Sequence, residues 1–101
     1  SGRITVAGKS VELYGQIDRL VETADAVVIL DYKTGTHVPA SATEIPQNYR
    51  LQMKAYHALV QQLYPHISVR CAMLWTAAAQ LIWCDDVVAA TPFPVEIPLV
   101  A

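Results

Sequence analysis

The chain has little charge. Of its 101 residues only 16% are Asp, Glu, Lys or Arg, against about 25% in an ordinary soluble domain. The net charge is -2, so no overall basic field points to a nucleic-acid binder. Cysteine is nearly missing. Cys71 and Cys84 are too few for a disulfide scaffold, and no CxxC pair offers a zinc site. Both lie in apolar, strand-like runs and read as buried, reduced core residues. No apolar run approaches the ~20 residues of a membrane span, and no signal peptide is visible. No membrane and a reducing cytoplasmic setting are expected. There is no internal repeat and no low-complexity segment. An initiator methionine is also missing, and the opening Ser-Gly-Arg reads as the start of an excised piece.

Apolar residues dominate instead, at 53% of the chain. The length sets one domain at most. So apolar a composition predicts surface that faces a partner or a larger parent chain. Arg3 to Val6 is predicted as a first strand, followed by a Gly8-Lys9 turn. Val11 to Glu22 reads as one long strand and Ala26 to Lys33 as the next. Val27 to Leu30 are apolar without alternation, which predicts a central strand covered on both faces. Thr34 to Ala42 is a loop broken by Gly35 and Pro39. A helix is predicted from Pro46, which suits a first helical turn, to Tyr64, with Pro65 as the stop. Val69 to Trp75 and Leu81 to Cys84 read as a second hairpin. The segment from Thr91 to Ala101, with alternating prolines, is expected to be extended. The fold class is therefore α/β: a mixed central sheet flanked by a helix.

The informative pair is GQIDR at Gly15 to Arg19 and DYKTG at Asp31 to Gly35. A short polar break, Thr23-Ala24-Asp25, joins the two runs as a β-hairpin. With a loop of two or four residues, Asp18 falls opposite Asp31. Cross-strand partners share a face, and Lys33, two residues on from Asp31, shares it too. Two carboxylates and an ammonium then converge. At ~4 Å and an effective dielectric of about 20, the carboxylate repulsion is on the order of 4 kcal/mol. A divalent cation between them turns that cost into a binding site. A three-residue loop would send the two carboxylates to opposite faces.

The predicted helix adds a third signal. Tyr49, Gln52 and Tyr56 recur at i, i+3 and i+7 and so share one face. Their amide and hydroxyl groups are neutral donors suited to phosphate oxygens. Leu51, Ala55, Leu59 and Leu63 form a second stripe, expected to pack on the sheet. Arg50 and Lys54 lie on a neighbouring face, either solvated or tracking a backbone. Arg19 is read as a salt-bridge partner behind the sheet, with a DNA contact as the alternative. His37, His57 and His66 lack metal-like spacing.

GQIDR, DYKTG and QMKAY at Gln52 to Tyr56 together resemble the PD-(D/E)xK nuclease superfamily, in particular its RecB-like nuclease domains. Any one of the three alone says little; their order and spacing, over roughly Val11 to Trp75, carry the resemblance. The finer similarity is to the C-terminal nuclease domain of AddA-type helicase-nucleases, through the strand containing Ala72 to Thr76. The resemblance implies a restriction-endonuclease-like core. It implies that Asp18, Asp31 and the backbone carbonyl of Tyr32 hold Mg²⁺ or Mn²⁺, ions that suit hard oxygen ligands. Lys33 would orient the attacking water or stabilise developing negative charge. Gln52, Tyr56 and Tyr49 would contact DNA.

By the same resemblance, residues 1–101 form one nuclease domain, truncated at its N-terminus and excised from a larger helicase-nuclease. Its function would be metal-dependent hydrolysis of DNA, as the exonuclease module in double-strand-break repair and recombination. Its partners would be DNA, the rest of the parent helicase chain and a second helicase-nuclease subunit. ATP would belong to the parent. Related domains carry an upstream helix with a further His or Glu ligand. No residue before Asp18 fits that role, Glu12 belonging to a strand, so the parent is expected to supply it. Two alternatives stand beside this reading: a non-catalytic DNA-binding or scaffold domain of the same fold, and a stand-alone nuclease of phage or CRISPR-associated type.

Overall fold

A computed structural model describes the backbone of residues 2–6, 9–13 and 16–92, and the side chains of 16–92. Strands β1 (Gly2–Val6) and β2 (Lys9–Leu13) form an antiparallel pair of their own. The main sheet runs in the order β3 (Arg19–Glu22), β4 (Ala26–Lys33), β5 (Ser68–Trp75), β6 (Gln80–Trp83). β3 and β6 are antiparallel to their neighbours, while β4 and β5 are parallel. Parallel neighbours need a crossover, and helix α1 (Gln47–Leu63) supplies it. A short helix, α2 (Asp85–Ala90), follows β6. The expected α/β architecture with a mixed sheet is what forms.

Two sequence expectations shift. The single strand predicted from Val11 to Glu22 is two strands in two sheets, with residues 16–18 outside regular structure ahead of β3. The intervening Gly15, which lacks a side chain and weakens a strand interior, was the available signal. α2 was not foreseen. Its six residues are too few to show a periodicity, though Asp85 and Asp86 in its first turn favour a helix start. The extended segment predicted from Thr91 lies outside the described residues from 93 onward.

The β3–β4 turn is short because Thr23 clamps it. The Thr23 amide donates to the Ala26 carbonyl at 2.8 Å, and the Thr23 hydroxyl oxygen accepts from the Ala26 amide at 3.0 Å. Hydroxyl capture of a nearby backbone group is how Ser and Thr favour turns. Only Ala24 and Asp25 lie in the loop, and the ladder runs from Glu22↔Val27 to Arg19↔Leu30.

α1 lies between Pro46 and Pro65 and contains neither Gly nor Pro. The Pro46 carbonyl accepts from the amides of Tyr49 and Arg50 at 3.0 and 3.2 Å, starting the helix. Its buried residues are Met53, Ala55, Tyr56 and Val60. Met53, Tyr56 and Val60 pack with Val27 and Ile29 of β4, Val69, Cys71, Met73 and Trp75 of β5, and Ile82 of β6. The stripe expected to meet the sheet was Leu51, Ala55, Leu59 and Leu63. Of these only Ala55 is buried, and Leu63 is 67% exposed. Leucines on α1 therefore misled, and the face that carries methionine and tyrosine is the one that packs.

β4 alternates after all. Val27, Ile29 and Asp31 face α1 and are buried, whereas Val28 and Leu30 are half-buried and Tyr32 is 39% exposed. Coverage on both faces, expected from the unbroken apolar run, is not complete among the described residues. Cys71 and Cys84 are buried free thiols, as expected. The neighbouring Cys84 sulfur, and then burial, push the Cys71 thiol above its ordinary range, which disfavours the thiolate. Lys54 ties α1 to α2, donating to the carbonyls of Val88 and Ala89 at 3.3 and 3.5 Å.

The packing face of α1 is open to a direct comparison. Met53→Ala removes a side chain that is 1% exposed, and such truncations cost about 2–5 kcal/mol. Leu63→Ala is predicted to stay within about 0.5 kcal/mol of the parent. Urea unfolding of both variants checks this, with unchanged m-values expected.

Candidate active site

The hairpin register decides the site. Arg19 opposite Leu30 places the preceding Asp18 opposite Asp31. The two carboxylates are close enough to hydrogen-bond. Asp18 is also fixed from the side, its Oδ2 accepting the Tyr32 amide at 2.8 Å. Lys33 shares the face, with Nζ 2.7 Å from Asp31 Oδ2. The structure thus brings Asp18, Asp31 and Lys33 together, with the Tyr32 backbone between the last two.

Their environments differ. Asp31 is 8% exposed, at the centre of the sheet. Its burial, and then the facing Asp18, hold its carboxyl above the usual range, partly offset by Lys33. Asp18 lies at the solvent edge. The hydrogen bond from Asp31, and then that from the Tyr32 amide, hold its carboxyl below the usual range. Opposed shifts in a facing pair are what one shared proton produces.

The surroundings anchor each element. The Lys33 carbonyl accepts from the Thr76 amide at 2.9 Å and from the Thr76 hydroxyl at 3.3 Å, which fixes the end of β4 against the turn after β5. The Lys33 ammonium sits 3.8 Å from the centre of the Tyr49 ring, a cation–π contact. On α1, Gln52 Nε2 donates to the Tyr56 hydroxyl at 3.2 Å, and that hydroxyl donates to the Gln16 carbonyl at 3.3 Å. Gln16 lies two residues before Asp18, so QMKAY ties the helix to the approach of GQIDR. Tyr56 is 6% exposed. Burial and the Asp31 charge raise its phenol above the ordinary value, so it remains a neutral donor. Arg19 is exposed, and the ion pairs among the described residues are Lys33–Asp31 and Arg70–Asp85.

Sequence reading missed three parts of this arrangement. Thr76 had no motif to mark it. Gln16 acts through its backbone, which its identity does not report. Tyr49 stood out for its hydroxyl, whereas its ring face holds Lys33.

The residues fit a hard divalent cation. Two carboxylates face each other across the hairpin where a cation would balance them, and oxygen donors of this kind suit Mg²⁺ or Mn²⁺. Among the described residues no group of three or more His, Cys, Asp or Glu side chains converges. The acidic donors are therefore Asp18 and Asp31, and no helix among the described residues is long and apolar enough to cross a membrane.

Against this geometry the comparisons with known proteins are clear at one level. The family model described as the PD-(D/E)XK nuclease superfamily matches residues 2–85. The chain belongs to that superfamily, and its mixed four-stranded sheet with helices is a restriction-endonuclease-like core. It is also similar to a CRISPR-associated exonuclease Cas4/endonuclease Cas1 fusion of Myxococcus xanthus, with 30% identity over 69 residues. That match covers 67% of this chain and spans 12% of the relative's length. No solved structure matches the chain.

The opposed shifts give a pH test. A carboxyl whose pKa is raised by folding favours the folded state while protonated. Asp31 contributes that preference fully below about 3.8, its ordinary value, and loses it as pH rises through the raised value. Asp18, shifted down, titrates on the other side of 3.8. The amide introduced by Asp31→Asn lacks the penalty yet can still donate to Asp18. In chelator-treated protein, the stability of Asp31→Asn relative to wild type is predicted to climb as pH rises above about 3.8, then level off. Thermal melts across pH 3 to 8 measure it, and a flat difference would contradict the assignment.

Proposed function

We propose that this domain hydrolyses phosphodiester bonds in DNA with Mg²⁺ or Mn²⁺, as an exonuclease module. The convergence of Asp18, Asp31 and Lys33 on one face supports this reading. Asp18, Asp31 and the Tyr32 carbonyl would hold the ion. When bound, the ion supplies Lewis-acid polarisation of the phosphate and a more acidic water. Lys33 then has its ion-pair partner engaged elsewhere, and its ammonium, steadied by the Tyr49 ring, faces developing negative charge. Gln52 and Tyr56 position the strand, Tyr56 through the Gln16 backbone that leads to Asp18.

The parent is proposed to be an AddA-type helicase-nuclease acting in double-strand-break repair and recombination, in the cytoplasm, with a second subunit beside it. A second reading has a specific observation in its favour. Similarity to the Cas4/Cas1 fusion supports a CRISPR-associated nuclease without a helicase motor. Dependence on ATP separates the two. Cleavage by the full-length parent is stimulated by ATP in the first case and indifferent to it in the second.

The activity itself is tested on end-labelled linear DNA and closed circular DNA with Mg²⁺. Wild type is predicted to degrade the linear form and spare the circle. Lys33→Met is predicted to lower kcat by about 10²–10³-fold, the usual loss for one preorganised electrostatic donor, and Asp31→Ala by at least as much. Equal activity in wild type and Asp31→Ala would overturn the reading.

A further inference from the structure

Two recesses on the described surface have a cation in their lining. The larger, of about 630 Å³, lies at the start of β5 and includes Arg70, Trp83, Asp85 and Asp86. Its cation is already engaged. Arg70 Nη2 is 3.2 Å from Asp85 Oδ2, and the guanidinium lies 4.1 Å from the Trp83 ring centre. With two carboxylates in its wall, this recess repels a polyanion.

The smaller recess, of about 390 Å³, opens on the other side of Lys33 from Asp31. Lys33, Thr36, His37, Pro46, Tyr49 and Trp75 are among its lining residues, with Gly35 at the loop between β4 and α1. The lining holds one lysine and no carboxylate. Its flat groups are two phenols, of Tyr32 and Tyr49, an imidazole and a proline ring, with threonine hydroxyls beside them and the buried Trp75 indole behind. Flat rings beside a cation are the chemistry by which proteins hold unstacked bases along a phosphate backbone. Lys33 is common to both places, since its ammonium is 2.7 Å from Asp31 and the residue also lines the recess. A phosphate bound through a cation at the carboxylates would have its own nucleoside near this opening.

We propose that the recess is a nucleobase subsite for the nucleotide adjoining the scissile phosphate. The proposal rests on the phosphodiesterase reading above and deepens it. The subsite admits a base only when that base has left its stack, and recognition is by ring contact, tolerant of base identity. Gly35 gives a means of closing it. A Cβ built on Gly35 meets no atom within 4 Å, so the side chain of Gly35→Leu starts into open space at the loop.

The test uses the full chain and single-stranded oligonucleotides carrying one abasic tetrahydrofuran residue, walked along the strand. An abasic residue at one fixed offset from the cut is expected to raise KM about tenfold or more, the order of one lost stacking contact, with kcat little changed. Gly35→Leu is expected to impose a similar loss on the intact strand and to add nothing on the abasic one, since both remove the same contact. Cleavage that is indifferent to the abasic offset overturns the subsite while leaving the nuclease reading intact. If wild type cleaves nothing, a binding arm decides the subsite alone. Trp75 fluorescence in a Trp83→Phe background is followed while adding pTpT or its doubly abasic counterpart. A change with pTpT only, absent in Gly35→Leu, supports the subsite; the same response to both ligands overturns it.

Discussion

Everything at this site follows from two carboxylates held face to face. A sheet does not place like charges opposite one another without cost, and here one of the pair is buried. The Thr23 clamp leaves two residues in the turn, and that length fixes Asp18 across from Asp31. A slip of one residue would turn Asp18 to the other face. The repulsion is relieved by the Tyr32 amide, which donates to Asp18, and by the Lys33 ammonium beside Asp31. These contacts are also the ones on which the proposed cation site rests.

The rest of the domain serves to hold that pair still. β4 lies inside the sheet between β3 and β5, and α1 crosses over it as the parallel connection requires. The helix reaches back to the site twice. Tyr56 anchors the Gln16 carbonyl ahead of Asp18, and Tyr49 lies against the Lys33 ammonium. Thr76, from the turn after β5, fixes the Lys33 backbone. Carboxylates and lysine are therefore positioned from three elements, which is the support a site needs to keep its geometry.

Much of this was legible in the sequence, for reasons that differ by element. β4 and the hairpin register could be read because turn chemistry and the period of a strand leave few choices. α1 could be bounded because proline stands at both ends. Its packing face could not, since leucine on an exposed face looks like core until the sheet shows where it lies; Leu63 is the clear instance. The break between β2 and β3 had only Gly15 to mark it in the sequence, which is too little to divide a strand. The roles of Gln16 and Thr76 depend on backbone carbonyls, which residue identity does not encode. Asp18, Asp31 and Lys33 were readable because strand alternation alone converts their spacing into proximity.

The account turns on whether the facing carboxylates hold a divalent cation, and thermal unfolding with and without Mn²⁺ tests that most directly. At a Mn²⁺ concentration about 100 times the dissociation constant, binding to the folded state adds ~2.7 kcal/mol, a rise of several degrees for a domain of this size. The account predicts that rise in wild type and its loss in Asp31→Ala. The same rise in both proteins, or none in wild type, would contradict it.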